Sequence, residues 1–202
     1  MNLLIETSTD LLILALFTKE GEIVSEKTCL HGNNLSKTLL PSIDALLVER
    51  GLRPKDLTGI ACGIGPGSYT GMRVGVAVAK SLAFSLQIPL QGFSSLLAFL
   101  PASVDGQFLV CKSARSGAIF ILPGVCSGGS IVSVDPHFFG TRPELLSLIQ
   151  EKVCVCAKEE EMGFPCVASV LNLRALTPFL SVATDLDMGL LYLNHDLSLI
   201  KN

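Results

Sequence analysis

The residues best suited to chemistry in this 202-residue chain are clustered in one stretch, Gly63-Ile64-Gly65-Pro66-Gly67-Ser68-Tyr69-Thr70-Gly71-Met72-Arg73. Glycine permits positive φ and close backbone approach, so the main-chain N–H groups of such a loop can cradle an anion or let a partner dock tightly. A P-loop needs a Gly-Lys-Ser/Thr ending, but Gly71 is followed by Met72 and the next lysine is Lys80. A dinucleotide-binding turn needs a glycine where Ser68 stands and an acid about where Gln87 stands. What remains is a turn that enters a helix N-terminus, with Thr70 or Ser68 to cap it and Pro66 to stiffen the approach. Arg73 falls in the first turn of that helix, where a cation opposes the macrodipole. Two readings stay open: Arg73 answers an anion on a ligand or partner, or it reaches solvent or pairs within the chain.

The other reactive residue types are scattered. His31 is followed four residues later by Leu35, and His137 and His195 stand alone in turn-like or terminal sequence, so all three read without a metal partner. Asp44, Glu49, Asp185 and Asp187 are available carboxylates, yet no base, nucleophile and oxyanion arrangement forms around them. Ser68 is followed by Tyr69 and Thr70 and lacks a nucleophile elbow. The reading therefore names no catalytic residue and no metal ligand. Seven cysteines, at positions 29, 62, 111, 126, 154, 156 and 166, form no Cys-x-x-Cys group, which fits a reducing cytoplasm. Cys154 and Cys156 lie two apart in an apolar run, which places both sulfurs on one strand face as small hydrophobes.

The formal net charge of −3, with no run of lysine or arginine, gives no electrostatic hold on RNA or anionic lipid. Contact with nucleic acid is expected only through a partner. Glu6 interrupts the first apolar run and no basic region precedes it, so the amino terminus does not read as a signal peptide. The apolar runs are too short to span a bilayer, and a cytoplasmic location is expected. Hydrophobic residues make up 49% and charged residues 16% of the chain, with mean hydropathy +0.55. Either a well-filled core or a surface covered by another protein accounts for that balance.

The elements that must position the loop follow from periodicity. Leu3 to Glu6 and Leu11 to Phe17 predict a hairpin around Thr7-Ser8-Thr9-Asp10, and Ile23 to Cys29 a third antiparallel strand after Lys19-Glu20-Gly21-Glu22. Leu35, Leu39, Leu40, Ile43, Leu46 and Leu47 recur at helical spacing until Gly51 and Pro54. Thr58 to Cys62 predicts a strand, and a second helix runs from about Gly71 to Leu86. Gly71, Gly75 and Ala79 leave a shallow groove on that helix, either for its own sheet or for a partner helix, with Val74, Val78 and Leu82 left to serve the core. A lobe boundary is placed after Pro101, dividing 1–101 from a smaller α/β lobe at 102–202 whose last segment can pack back on the first. The second lobe is expected to hold strands at Phe108 to Cys111, Ala118 to Leu122, Ser130 to Val134 and Val153 to Ala157, and a helix at Pro143 to Glu151 capped by Thr141.

Three strands, helix, strand, glycine turn, helix and then a second α/β lobe resembles the actin, sugar kinase and Hsp70 class, a ribonuclease H-like two-lobe fold with the second lobe reduced. The loop residues Gly63, Gly65, Pro66, Gly67, Ser68, Tyr69, Thr70, Gly71, Arg73 and Gly75, with Lys80-Ser81-Leu82-Ala83 after them, are similar to the bacterial YeaZ family, also called TsaB. Ile5-Glu6-Thr7-Ser8-Thr9 resembles that family's opening Ile-Asp-Thr-Ser/Ala-Thr, and Leu39-Leu40-Pro41 its first-helix motif. Ser113-Ala114-Arg115-Ser116-Gly117 falls where Asp-Ala-Arg is usual, and Leu191-Tyr192-Leu193-Asn194 resembles the closing Tyr-Leu-Arg. Glu6 thus lengthens a carboxylate, Ser113 removes one and Asn194 removes a positive charge.

The resemblance implies a non-catalytic cytoplasmic scaffold or activator in the machinery that forms N6-threonylcarbamoyladenosine at position 37 of ANN-decoding tRNAs. The transfer itself belongs to the sister subunit TsaD, with the ATPase TsaE at the junction and tRNA held only indirectly. No cofactor is required by this chain, and ATP and magnesium would belong to the assembled complex. Leu35, Leu39, Ile43, Gly71, Gly75 and Ala79 are the expected contacts with TsaD, and a homodimer through the same helical face is an alternative. A second reading is an enzyme that binds ATP between its lobes for phosphoryl or acyl transfer. Glu6, Thr7, Thr9, Gly65, Gly67, Ser68, Thr70 and Arg73 are then the candidates for holding nucleotide or anion, with Glu6 near a magnesium-bound water. A metallopeptidase is disfavoured, because a catalytic zinc would find no His/His/carboxylate set.

Overall fold

The computed structural model describes residues 1–32, 34–101, 104–114, 118–149 and 152–156, and the backbone of 167–168. The chain opens with β1 (Asn2–Glu6), β2 (Leu11–Phe17) and β3 (Ile23–Leu30), followed by helix α1 (Leu35–Val48), β4 (Gly59–Gly63), helix α2 (Tyr69–Leu86) and β5 (Leu90–Phe93). β1, β2 and β3 pair antiparallel, β4 runs parallel to β1, and β5 runs parallel to β4. Each parallel step needs a crossover, which α1 and α2 provide, and the resulting strand order is β3-β2-β1-β4-β5.

The second half repeats this plan. β6 (Gly106–Ser113), β7 (Ile119–Ser127) and β8 (Ser130–Val134) form an antiparallel set, and β9 (Phe138–Gly140) adds to β7. Helix α3 (Arg142–Leu148) then leads to β10 (Val153–Cys156), parallel to β6, and β11 (Val167–Ala168), parallel to β10. The order β11-β10-β6-β7-β8 matches the strand order of the first sheet, with β9 added beside β7. Two such sheets make the two-lobe, ribonuclease H-like architecture expected from the element order.

Three apolar clusters show how the layers stack. On one face of the first sheet Leu3, Ile5, Leu12, Leu14, Ile60 and Cys62 pack beneath α1 and α2. On the other face Leu4, Ile13, Ala15, Ala61 and Phe93 meet a 3-10 segment at Ser95–Phe99 and, from the second sheet, Phe108, Val110, Phe120 and Leu122. Burial on both faces explains the unbroken run Leu11 to Phe17, which a half-exposed strand would alternate with polar residues. On its outer face the second sheet packs Leu109, Cys111, Ile121, Cys154 and Cys156 around Leu145 of α3. The two cysteines of β10 thus share one face, as their spacing predicts.

Periodicity located the long elements and missed the short ones. β5 and β9 were not expected, because Leu90-Gln91-Gly92-Phe93 and Phe138-Phe139-Gly140 are too brief to show an alternation. Helix α2 begins two residues earlier than expected, at Tyr69, because Ser68 caps it. Arg115, Ser116, Gly117, Glu151, Ala157, Cys166, Asp185, Asp187, His195 and the segment Leu191 to Asn194 lie outside the described residues, as does the 102–103 junction placed between the lobes.

Candidate functional site

The glycine loop leaves the end of β4 and crosses the β1–β2 turn before entering α2. Gly65 adopts φ +105°, a conformation open to glycine, and the Gly65–Pro66 peptide is cis. Gly65 N donates to Ser95 Oγ at 3.0 Å while Ser95 N donates to Gly65 O at 2.7 Å, so the loop is zipped to the start of the 3-10 segment. Ser68 N donates to Ser8 O at 2.7 Å, and Ser68 Oγ accepts from Gly71 N at 3.2 Å, capping α2. Thr7 Oγ1 donates to Gly71 O at 2.9 Å.

The glycines are there for steric reasons. A Cβ at Gly67 would collide with Ser8 O, one at Gly71 with Thr7 O, and one at Gly75 with Thr7 Oγ1. The small-residue stripe of α2 is therefore spent on the β1–β2 turn. The residues expected to contact a partner, Leu35, Leu39, Ile43, Gly71, Gly75 and Ala79, are all buried within the chain. Val74, Val78 and Leu82, assigned to the core, sit half-buried at its margin. Small residues let α2 approach its own sheet so closely that the stripe is covered by β1 and the turn after it. The outward sides of the helices carry other apolar groups, Leu40 and Val48 on α1 and Tyr69 and Phe84 on α2.

Of the candidate anion-binding set, the structure brings together Glu6, Thr7, Gly65, Gly67 and Ser68. Thr9 lies at the far side of the turn, where its hydroxyl accepts from Leu11 N at 3.1 Å and its carbonyl meets His31 Nε2 at 3.0 Å. Thr70 and Arg73 are exposed on the first turn of α2, and the Arg73 guanidinium lies 4.3 Å from the centroid of the Tyr69 ring. A cation over an aromatic face is attracted to its quadrupole, so Arg73 has a partner within the chain.

Glu6 is fully buried at the end of β1. Its Oε1 accepts from Ser8 N, and its Oε2 has no hydrogen-bond partner, lying instead where a Cβ on Gly63 would stand, near Ser95 Oγ. Burial, and then the Glu6 carboxylate, push the neighbouring Cys62 thiol far above its ordinary range, which removes it as a nucleophile. His31 also fills its place with backbone, since Nδ1 meets Gly32 O at 2.6 Å. Among the described residues no three His, Cys, Asp or Glu side chains converge as metal ligands.

One residue absent from the sequence reading completes the site. Lys112, on β6 of the second sheet, donates to Ser8 O and Ser8 Oγ, each at 3.0 Å, and to Pro66 O at 3.1 Å. The only sequence signal for it is a lysine ending the inward row Phe108, Val110, Lys112. This class of fold implies a nucleotide with magnesium between the lobes, and the residues present do not fit a phosphate group there. The Thr7 hydroxyl is committed to Gly71 O, Ser8 O receives Ser68 N, and the space a phosphate would need beside Gly67 holds the Lys112 ammonium, 2.7 Å from a notional Cβ. Apolar packing around Phe93, Leu97, Phe99 and Phe120 fills the region between the sheets.

Comparison with known proteins adds independent findings. A family model described as TsaD, tRNA N6-adenosine threonylcarbamoyltransferase, matches residues 25–128. The tRNA threonylcarbamoyladenosine biosynthesis protein TsaB of Bacillus subtilis is 34% identical over 152 residues, covering 74% of this chain and 66% of that protein. The protein of the same name from Haemophilus influenzae is 37% identical over 108 residues, covering 51% and 43% respectively. The chain thus spans about two thirds or less of the length of these curated relatives. YeaZ from Pseudomonas aeruginosa shares the fold, with a TM-score of 0.71 at 23% identity over 88% of this chain and 90% of that one.

Proposed function

Because the chain belongs to the threonylcarbamoyltransferase family, on its TsaB (YeaZ) side, we propose that it is a non-catalytic subunit supporting N6-threonylcarbamoyladenosine formation at position 37 of ANN-decoding tRNAs. It docks on TsaD, with TsaE joining at the junction and tRNA reached only through these partners. Its place of work is the cytoplasm; among the described residues no helix is long and apolar enough to cross a membrane.

The observation that carries this reading is the contrast on α1 and α2 between a spent inner face and an unspent outer one. Phe84 is 80% exposed, Val48 65% and Leu40 51%, all on the two helices that cover the first sheet. A standard interface buries about 800 Å² per partner, which a two-helix face can supply without a charged patch. Size-exclusion chromatography of the chain with its own TsaD tests it. Co-elution that Phe84→Glu abolishes is expected, and separate elution at micromolar concentration refutes docking.

A second reading, an ATP-dependent transferase, has the unpartnered Oε2 of Glu6 in its favour and requires the Lys112 ammonium to leave the space beside Gly67 before a phosphate could enter. Calorimetry with ATP and magnesium separates the two: micromolar binding with turnover favours the enzyme, and no heat favours the scaffold.

A further inference from the structure

We propose that Lys112 is an interlobe latch, a cation supplied by the second sheet to a three-oxygen seat built by the first, and that it fixes the position of the glycine loop. The seat consists of Ser8 O, Ser8 Oγ and Pro66 O, within 3.0 to 3.1 Å of Nζ. An ammonium has three donors and no acceptor, so it is suited to a seat of oxygen acceptors. They come from two segments far apart in the sequence, the β1–β2 turn and the glycine loop, which Ser68 N already joins through Ser8 O and which the ammonium ties together a second time at Pro66 O.

The seat is protected from its surroundings. Ser8 is 1% exposed, Lys112 is half-buried, and the ammonium lies 5.9 Å from the centroid of the Phe99 ring. Position 112 continues the row Phe108, Val110 that faces the core shared by the two sheets, so the aliphatic stem follows apolar packing before the charge reaches the oxygens. Gly67 has no side chain because a Cβ would collide with Ser8 O and crowd the ammonium. Ser8 O also accepts from Ser68 N, the residue that caps α2. Through that shared carbonyl, Lys112 sets where the loop ends and where α2 begins.

The first test uses the wild-type chain. A lysine amine bound to three oxygens is unavailable to an acylating reagent, so Lys112 should be labelled at least about tenfold more slowly than the exposed Lys19. Equal labelling rates overturn the latch.

The second test follows hydrogen exchange in Lys112→Met, which keeps the stem and removes the donors. The amides of Ser68 and Gly71 should exchange at least about tenfold faster, while those of β4 and α1 stay as in the wild type. Unchanged loop exchange overturns the latch, and so does acceleration spread evenly over both sheets. Lys112→Ala adds a chemical arm: propylammonium, which replaces the missing stem and cation, should restore slow exchange in the loop where propanol does not. Equal rescue by both means that the stem packs and the charge holds nothing, which also overturns it.

Discussion

In the first sheet the last paired residue of β1 is Glu6, buried opposite Ile13, whereas in the second the last paired residue of β6 is Ser113, exposed opposite Ile119. The two sheets share one strand order and differ at this edge. In open α/β sheets ligand sites form outside the carboxyl ends of the strands. In the first sheet that edge is roofed by the glycine loop and α2, with Thr7, Ser8 and Glu6 all buried beneath. From the second sheet, Lys112 reaches across to this edge. One topology thus supplies a seat of oxygen acceptors in one sheet and the side chain that fills it in the other, so fold alone does not assign a nucleotide site.

The sharpest way to break the comparison is to ask whether the sheets are two units or one. Phe108 is fully buried in the cluster that holds Leu4, Ile13 and Ala15 of the first sheet, and its ring lies over Gly124, its cross-strand neighbour. Phe108→Ala should cost about 3–5 kcal/mol in denaturant unfolding and leave a single transition. Two transitions, with the first sheet unaffected, would show that the apolar contact between the sheets couples nothing.

The next effect concerns the roof. Alanine at position 71 would ordinarily help a helix by about 1 kcal/mol, but here its Cβ meets the carbonyl of Thr7. Gly71→Ala should therefore destabilise by about 1–3 kcal/mol, the range for overpacking a filled site. Ala77→Gly, at an exposed site on the same helix, should cost about 1 kcal/mol through propensity alone. Thermal unfolding of both variants decides it, and a stabilising Gly71→Ala would mean that α2 is free to lift from the turn.

These two sites also mark what the sequence could and could not disclose. The hairpin, α1, α2 and the strands β6, β7, β8 and β10 of the second sheet were legible because apolar runs and helical spacing are local properties. That α2 needs small residues was legible as well, from Gly71, Gly75 and Ala79. Which surface they serve was not, because a groove for the chain's own turn and a groove for a partner have the same residue pattern. Lys112 was invisible for a related reason: its three acceptors lie near 8 and 66, and only the packing of Phe108 and Val110 between the sheets brings a lysine two residues later into reach.

A smaller effect sharpens the contrast between the helix starts. Ser68 caps α2 with one bond to Gly71 N, and its backbone is tied to Ser8. At α3, Thr141 and Glu144 form a reciprocal capping box, with Glu144 Oε2 accepting from Thr141 N at 2.7 Å and from Thr141 Oγ1 at 2.8 Å. Ser68→Ala should cost about 1 kcal/mol by equilibrium unfolding, with the loss concentrated in hydrogen exchange at the first turn of α2. Faster exchange throughout α2 would mean that the cap holds the whole helix down.

The smallest effect is one of pH, and it belongs to the second sheet. Hydrogen bonds from the Thr141 backbone and then its side chain hold the Glu144 carboxyl below its ordinary value. Burial holds His137 below its ordinary value, with its ring edge-on to Phe120 at 6.5 Å between centroids. Both shifts have the same sign: the unfolded chain binds more protons than the folded one, so stability rises with pH through each window. For His137 the contribution is complete above its unfolded value of 6.5 and is lost as pH falls through the lower folded value. For Glu144 it is complete above 4.5 and is lost below that, where the exposed box loses its charge-assisted bonds. His137→Gln should flatten the upper part of a stability-versus-pH curve, and Glu144→Gln the lower part. If His137→Gln leaves the upper part unchanged, the ring is as free to take a proton in the folded protein as in the unfolded chain, and its burial against Phe120 carries no energetic weight.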